Sequence, residues 1–153
     1  MLMDKPRSTA PRITAKVAGR ALHPIFRPFA VGYFLAALGC DLLYAQAGAF
    51  ARAGASDFGS ITIWLLGAGL VMAGLATAAA LVDFLGERRF RDLPDLKAHA
   101  AGSALVMALE AYNLQIRVAG GAEAIAPTGL ILSLAAIAVL LATPSRGWAS
   151  MYR

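Results

Sequence analysis

Four apolar runs alternate with short polar connectors along this chain. Ile61–Val82 carries no charge over 22 positions, and Ala124–Ser145 is uncharged over another 22. A bilayer core needs about 20 apolar residues as helix, so each run predicts a membrane-spanning helix. A further run from about Pro28 to Phe50 is interrupted only by Asp41, and one from about Ala98 to Ile116 only by Glu110. One central acid costs about 2.5–3.5 kcal/mol on insertion scales, which the surrounding Leu, Val and Phe offset. The pattern therefore predicts spans at about 28–50, 61–82, 98–116 and 124–143. The connectors are a polar loop at 54–60 (GASDFGS), a charged one at 86–97 (GERRFRDLPDLK) and a tight turn at 120–123 (GGAE). Short links imply antiparallel neighbours. The expected fold is an all-α integral membrane protein, a bundle of four antiparallel transmembrane helices occupying residues 23–145, with no soluble domain.

Composition agrees with the pattern. The chain is 153 residues long, 59% hydrophobic and 15% charged, against about 45–50% and 25% in soluble domains. The net charge of +5 would suggest nucleic acid in a soluble protein, but the positions of the cations explain it otherwise. Lys5, Arg7, Arg12, Lys16, Arg20 and Arg27 precede the first span. Arg88, Arg89, Arg91 and Lys97 lie between the second and third, and Arg146 and Arg153 follow the fourth. With four spans all twelve fall on one side, leaving Arg52 and Arg117 toward the other. The positive-inside rule then places both termini in the cytoplasm of a bacterial inner membrane, with the lipid bilayer as partner and no nucleic acid. Residues 1–22 form a basic cytoplasmic segment. Ile13 and Val17, four apart among basic residues at 12–22, suit a helix lying on the anionic leaflet, with an unstructured tail as the alternative. Residues 146–153 form a short cytoplasmic tail whose Trp148 and Tyr152 suit the interface. Asp41 within the apolar run argues against a cleaved signal peptide ending at residues 45–47. Cys40, the sole cysteine, excludes an internal disulfide. Gly69, Ala73 and Thr77, spaced by four, let helices approach closely, within the bundle or in a homo-oligomer.

The polar residues inside the spans are not scattered. In the third, His99, Ser103, Glu110, Asn113 and Arg117 fall at offsets that project within about 40° of one line at 100° per residue. In the first, His23 and Asp41 are eighteen residues apart, which is five turns or roughly 27 Å on one face. Arg27 lies one turn from His23. The first and third spans run the same way, and His99 and Arg117 are also eighteen apart. Level histidines therefore make Asp41 and Arg117 level. The expectation is an Asp41–Arg117 ion pair deep in the bundle, shared with Glu110 and Asn113, since a charge in lipid needs a partner.

At the other end, Asp83 closes the second span at the depth of His23 and His99. Two histidines on facing helices suit the axial ligation of haem b, with Arg27 meeting a propionate. His23 and His99 with Asp83 are also ligand types for a divalent metal. Histidine can equally hydrogen-bond a quinone head group. The bland alternative has His23 closing the helix start beside Pro24 and His99 bonded to Asp83. No nucleophile–base pair can be placed, so an enzyme of the soluble type is not expected.

The stretches HPIFRPFAVGYFLAALGCDLL and AAALVDFLGERRFRDLPDLKAHAAGSALVMALEAYNLQIR resemble the two signatures of a bacterial family of predicted membrane proteins, domain of unknown function 2231. They carry a His-Pro opening, an Asp ending the first helix, an acid ending the second, a His on the third and an Asn-x-x-x-Arg end. His23, Asp41, Asp83, His99, Asn113 and Arg117 are the matching positions, and the resemblance covers residues 20–143. Where many members have His-Phe-Pro, this chain has Arg27–Phe29. The resemblance implies four helices in the inner membrane and no established activity. Some relatives are joined to Rieske-type or cytochrome c domains, which implies a separate redox protein as partner here. The favoured expectation is a small redox-associated subunit binding haem b or a quinone between His23 and His99. The alternatives are a structural or assembly protein without cofactor, and a proton or small-solute pathway through Asp41, Glu110 and Arg117.

Overall fold

A computed structural model of the protein describes residues 16–17, 20–53, 55–86 and 94–143. Its main elements are four helices: α1 (His23–Ala53), α2 (Ala55–Gly86), α3 (Pro94–Gly120) and α4 (Leu130–Ala142). Two short strands precede them, β1 (Lys16–Val17) and β2 (Arg20–Ala21), paired antiparallel. At 16–17 and 20–21 the chain therefore takes strand geometry rather than the helix considered for 12–22. β-branched Val17 and the following Gly19 are poor helix formers. Residues 12–15, the connector at 87–93 and the tail with Trp148 and Tyr152 lie outside the described residues.

The helices are longer than the apolar runs. α1 begins five residues before the expected span, with the N–H groups of Ile25 and Phe26 donating to the Leu22 carbonyl at 3.0 and 3.2 Å. Pro24 sits where a missing N–H costs nothing, and Pro94 opens α3 in the same way. α2 absorbs residues 55–60, expected as loop, with Asp57 in its first turn, where a carboxylate favours the helix dipole. At 120–124 the chain reverses through Gly121, whose φ of 60° belongs to glycine, and a 3-10 turn from Gly121 to Ala124.

The expected fourth span is the one the structure changes. Regular helix covers only Leu130–Ala142, 13 residues. The preceding segment Ile125–Gly129 is broken at Ala126 (φ −130°, ψ 134°). Pro127 is the cause: the residue before a proline is driven out of the helical region. Among the described residues, three helical stretches are long and apolar enough to cross a membrane: His23–Gln46, Asp57–Leu85 and Leu96–Ala142. The last contains α3, the reversal and α4. Within it Asn113 donates to Ser133, and Gly102 lies so close to Thr143 that a Cβ there would collide with it. Rising numbers on α3 thus meet falling numbers on α4.

Ala30, Phe34 and Ala37 of α1, Leu66 of α2, Val106 of α3 and Ala136 of α4 form the apolar core. Gly69 admits the Phe34 ring, since a Cβ there would stand 2.5 Å from Phe34 Cε1. The side-chain distribution is inverted relative to a water-soluble protein. Asp41, Thr62, Glu110, Asn113, Arg117 and Ser133 are all 0% exposed, whereas Leu141 is 80% and Trp64 79% exposed. A water-soluble fold does not present such a continuous apolar surface; a bundle whose solvent is lipid does.

Candidate functional site

Two polar clusters occupy opposite ends of the bundle. The first is built on α1, α3 and α4. Arg117 forms a two-pronged ion pair with Asp41, Nη1 to Oδ1 at 2.6 Å and Nη2 to Oδ2 at 2.8 Å. Its Nε donates to Asn113 Oδ1 at 2.9 Å. That fixes the Asn113 amide, whose Nδ2 donates to Glu110 Oε2 and to Ser133 Oγ, both at 3.0 Å. The Ser133 hydroxyl in turn donates to Asp41 Oδ2 at 2.8 Å. The fork geometry is the one for which arginine is suited and lysine is not. Asp41, Glu110, Asn113 and Arg117 are thus brought together. Ser133 completes the cluster and was not anticipated: a lone serine in an apolar run carries no charge to signal a partner.

The second cluster lies where α1 begins, α2 ends and α3 begins. His23, the first residue of α1, donates from Nδ1 to the Ala76 carbonyl of α2 at 2.9 Å. A carbonyl only accepts, so Nδ1 carries a hydrogen. The His99 ring stands 6.1 Å away, centroid to centroid, nearly perpendicular at 80°. Both rings are buried (7% and 4% exposed). They line a cavity of about 240 Å³ together with Thr77, Ala80, Leu81 and Phe84 of α2 and Leu96, Ala100 and Ser103 of α3. Thr77, Leu81 and Ala100 are themselves exposed on the outer surface, so the cavity opens sideways between α2 and α3.

Asp83 is buried at the end of α2, and Arg27 is half-buried, but neither lines this cavity. Arg27 lines a smaller adjoining one of about 50 Å³, bounded by all four helices and sharing Thr77 and Ser103 with the first. Among the described residues no group of three or more His, Cys, Asp or Glu is placed to hold a metal ion. The set His23, His99 and Asp83 does not assemble as a metal centre. Haem b finds no support in this cavity either. The cavity is smaller than the roughly 300–1,000 Å³ that encloses drug-sized ligands, and a propionate would find Arg27 outside it.

The family model for predicted membrane proteins of the DUF2231 type matches residues 19–153. The chain belongs to this family. The match takes in both clusters, and the membrane assignment carried by the family agrees with the apolar outer surface of the helices. No curated protein and no solved structure matches the chain.

Proposed function

We propose that this protein is a four-crossing membrane protein with both termini in the cytoplasm, whose His23–His99 cavity binds the head group of a lipid-soluble quinone. The antiparallel contacts of α3 with α4 support the fourth crossing. α4 and the broken segment before it are the return path, and the short helix reaches from the Arg117 end back to Thr143 beside Gly102. With four crossings, the cation-rich segments share one side, which the positive-inside rule makes cytoplasmic.

The observation that carries the binding proposal is the cavity's form: apolar walls, two imidazoles in its lining and a lateral opening at the end of the bundle where α1 begins. A ligand entering from the side comes from the bilayer, so its tail remains in lipid and only a ring-sized head needs the 240 Å³. Each neutral imidazole offers one N–H and one lone pair. The Ala76 bond commits the Nδ1–H of His23, and the His23 and His99 rings both line the cavity. Together they suit a carbonyl and a hydroxyl, the two oxygen states of a quinone head. The redox role considered from the sequence becomes that of a quinone-holding subunit beside a separate electron carrier.

The test is the quinone content of protein purified in mild detergent, measured in a solvent extract against His23→Ala and His99→Ala. The expected result is quinone retained by the wild type and lost from both variants. Equal quinone in all three overturns the proposal, and a haem absorption spectrum overturns the choice of quinone. A second reading, helix association alone, is favoured by the Asp41–Arg117 cluster, which borders neither cavity. It predicts that the histidine variants lose stability and nothing else.

A further inference from the structure

Glu110 stands apart from the other buried charges. It is 0% exposed, its Oε2 accepts one hydrogen bond from Asn113, and its Oε1 has no hydrogen-bond partner among the described residues. The charged groups facing it are Arg117 on its own helix and Asp41 on α1. α4 contributes only the uncharged Ser133. Of the α2 carboxylates, Asp83 sits at the opposite, histidine end of the bundle, and Asp57 in the first turn is exposed. The Arg117 charge is already compensated, because both terminal guanidinium nitrogens donate to the Asp41 carboxylate. An ionised Glu110 would therefore be an uncompensated anion in the bundle interior, with a single amide donor. A buried charge in that position is far more costly than the neutral acid.

From this geometry we infer that Glu110 is a membrane-embedded proton-binding site, carrying its proton at rest as a neutral carboxylic acid. Asp41 and Arg117 are the charged pair beside it. The acid's single anchor, Asn113, ties it to that pair: Asn113 Oδ1 accepts from Arg117 while Nδ2 donates to Glu110. Loss of the proton presents Arg117 with a second carboxylate across Asn113. The cation is then shared between Asp41 and Glu110, and α1 loses part of its hold on α3. Protonation of one residue thus sets how tightly the helices carrying the pair are joined. This site is separate from the histidine cavity and stands or falls independently of quinone binding.

Infrared spectroscopy of the full chain in lipid vesicles tests it. The wild-type minus Glu110→Gln difference spectrum near neutral pH should contain the carbonyl stretch of a protonated carboxylic acid, shifted in heavy water. Glu110→Gln mimics the neutral acid in shape and should fold. Glu110→Asp, which retains the acid on a shorter arm, should keep a displaced band. A difference spectrum holding only carboxylate stretches overturns the inference. Should Glu110→Gln prove unfolded, isotope-labelled glutamate carboxyls in the wild type decide the question by nuclear magnetic resonance, since the chain has only Glu87, Glu110 and Glu123. One protonated signal at neutral pH supports the inference, and three ionised signals refute it.

Discussion

Replacing Asp41 by Asn keeps the side chain's shape and removes its charge, which leaves the Arg117 guanidinium 0% exposed and without a counter-ion. Two magnitudes compete. If the contact matters only as hydrogen bonding within a membrane, its loss is worth about 0.6 kcal/mol and at most about 1.7. If it matters as charge compensation, removing one partner of a buried pair costs about 3–5 kcal/mol, roughly a hundred- to several-thousand-fold in the folding equilibrium. The structure favours the second. Both short contacts from Arg117 end on Asp41, and its remaining bonds go to the neutral groups Asn113 and Ser133. The assay is reversible unfolding in lipid–detergent mixtures for Asp41→Asn, Arg117→Gln and the pair together. Each single variant is expected to lose more than about 2 kcal/mol and the double variant to recover much of it, because it leaves no unpaired charge. Asp41→Asn with Glu110→Gln should be worse than Asp41→Asn alone, since an ionised Glu110 is the one group able to replace the missing anion. Single losses below about 1 kcal/mol that simply add would refute the reasoning.

Other outcomes follow from the packing. Ser133→Ala should cost about 1–3 kcal/mol in the same unfolding assay, because it strips a donor from Asp41 and an acceptor from Asn113 within a buried network. Gly69→Ala should destabilise by about 1–3 kcal/mol through collision with the Phe34 ring, whereas Gly74→Ala meets nothing within 4 Å and should be near neutral. Single cysteines placed at residue 5 and at residue 150, in a Cys40→Ala background, should both react with an impermeant thiol reagent only from the cytoplasmic face. Labelling of the two ends from opposite faces would rule out the fourth crossing.

Much of the polar framework was legible because cost makes it so. Asp41 and Arg117 are expensive in lipid, so their matching eighteen-residue offsets from His23 and His99 pointed to a pairing across two helices. Ser133 was illegible for the opposite reason: a single hydroxyl can satisfy itself on its own helix, as Thr77 does on the Ala73 carbonyl. Pro127 carries no hydropathy signal of a break, and it turns an expected 20-residue helix into 13 residues after one. The glycines of 54–60 suggested a loop, yet Gly59 is inside α2, where its bare Cα lets Ala122 pack 3.3 Å from the position of a Cβ. The histidine pair was legible as a depth match. The cavity was not, because it arises from the small Ala80, Ala100 and Ser103 between two helices whose spacing no single sequence states. Arg27 shared a face with His23 but turned to the interior cavity instead.

The chain contains only two histidines, which makes the central proposal directly measurable. In a sample labelled with nitrogen-15 at histidine and held in lipid discs, a short-tailed benzoquinone is titrated while the four ring nitrogens are followed by nuclear magnetic resonance. The account predicts that His23 Nε2 and one nitrogen of His99 shift together and saturate, while His23 Nδ1, held by Ala76, moves least. Ring signals of His23 and His99 that do not move at saturating quinone would contradict it.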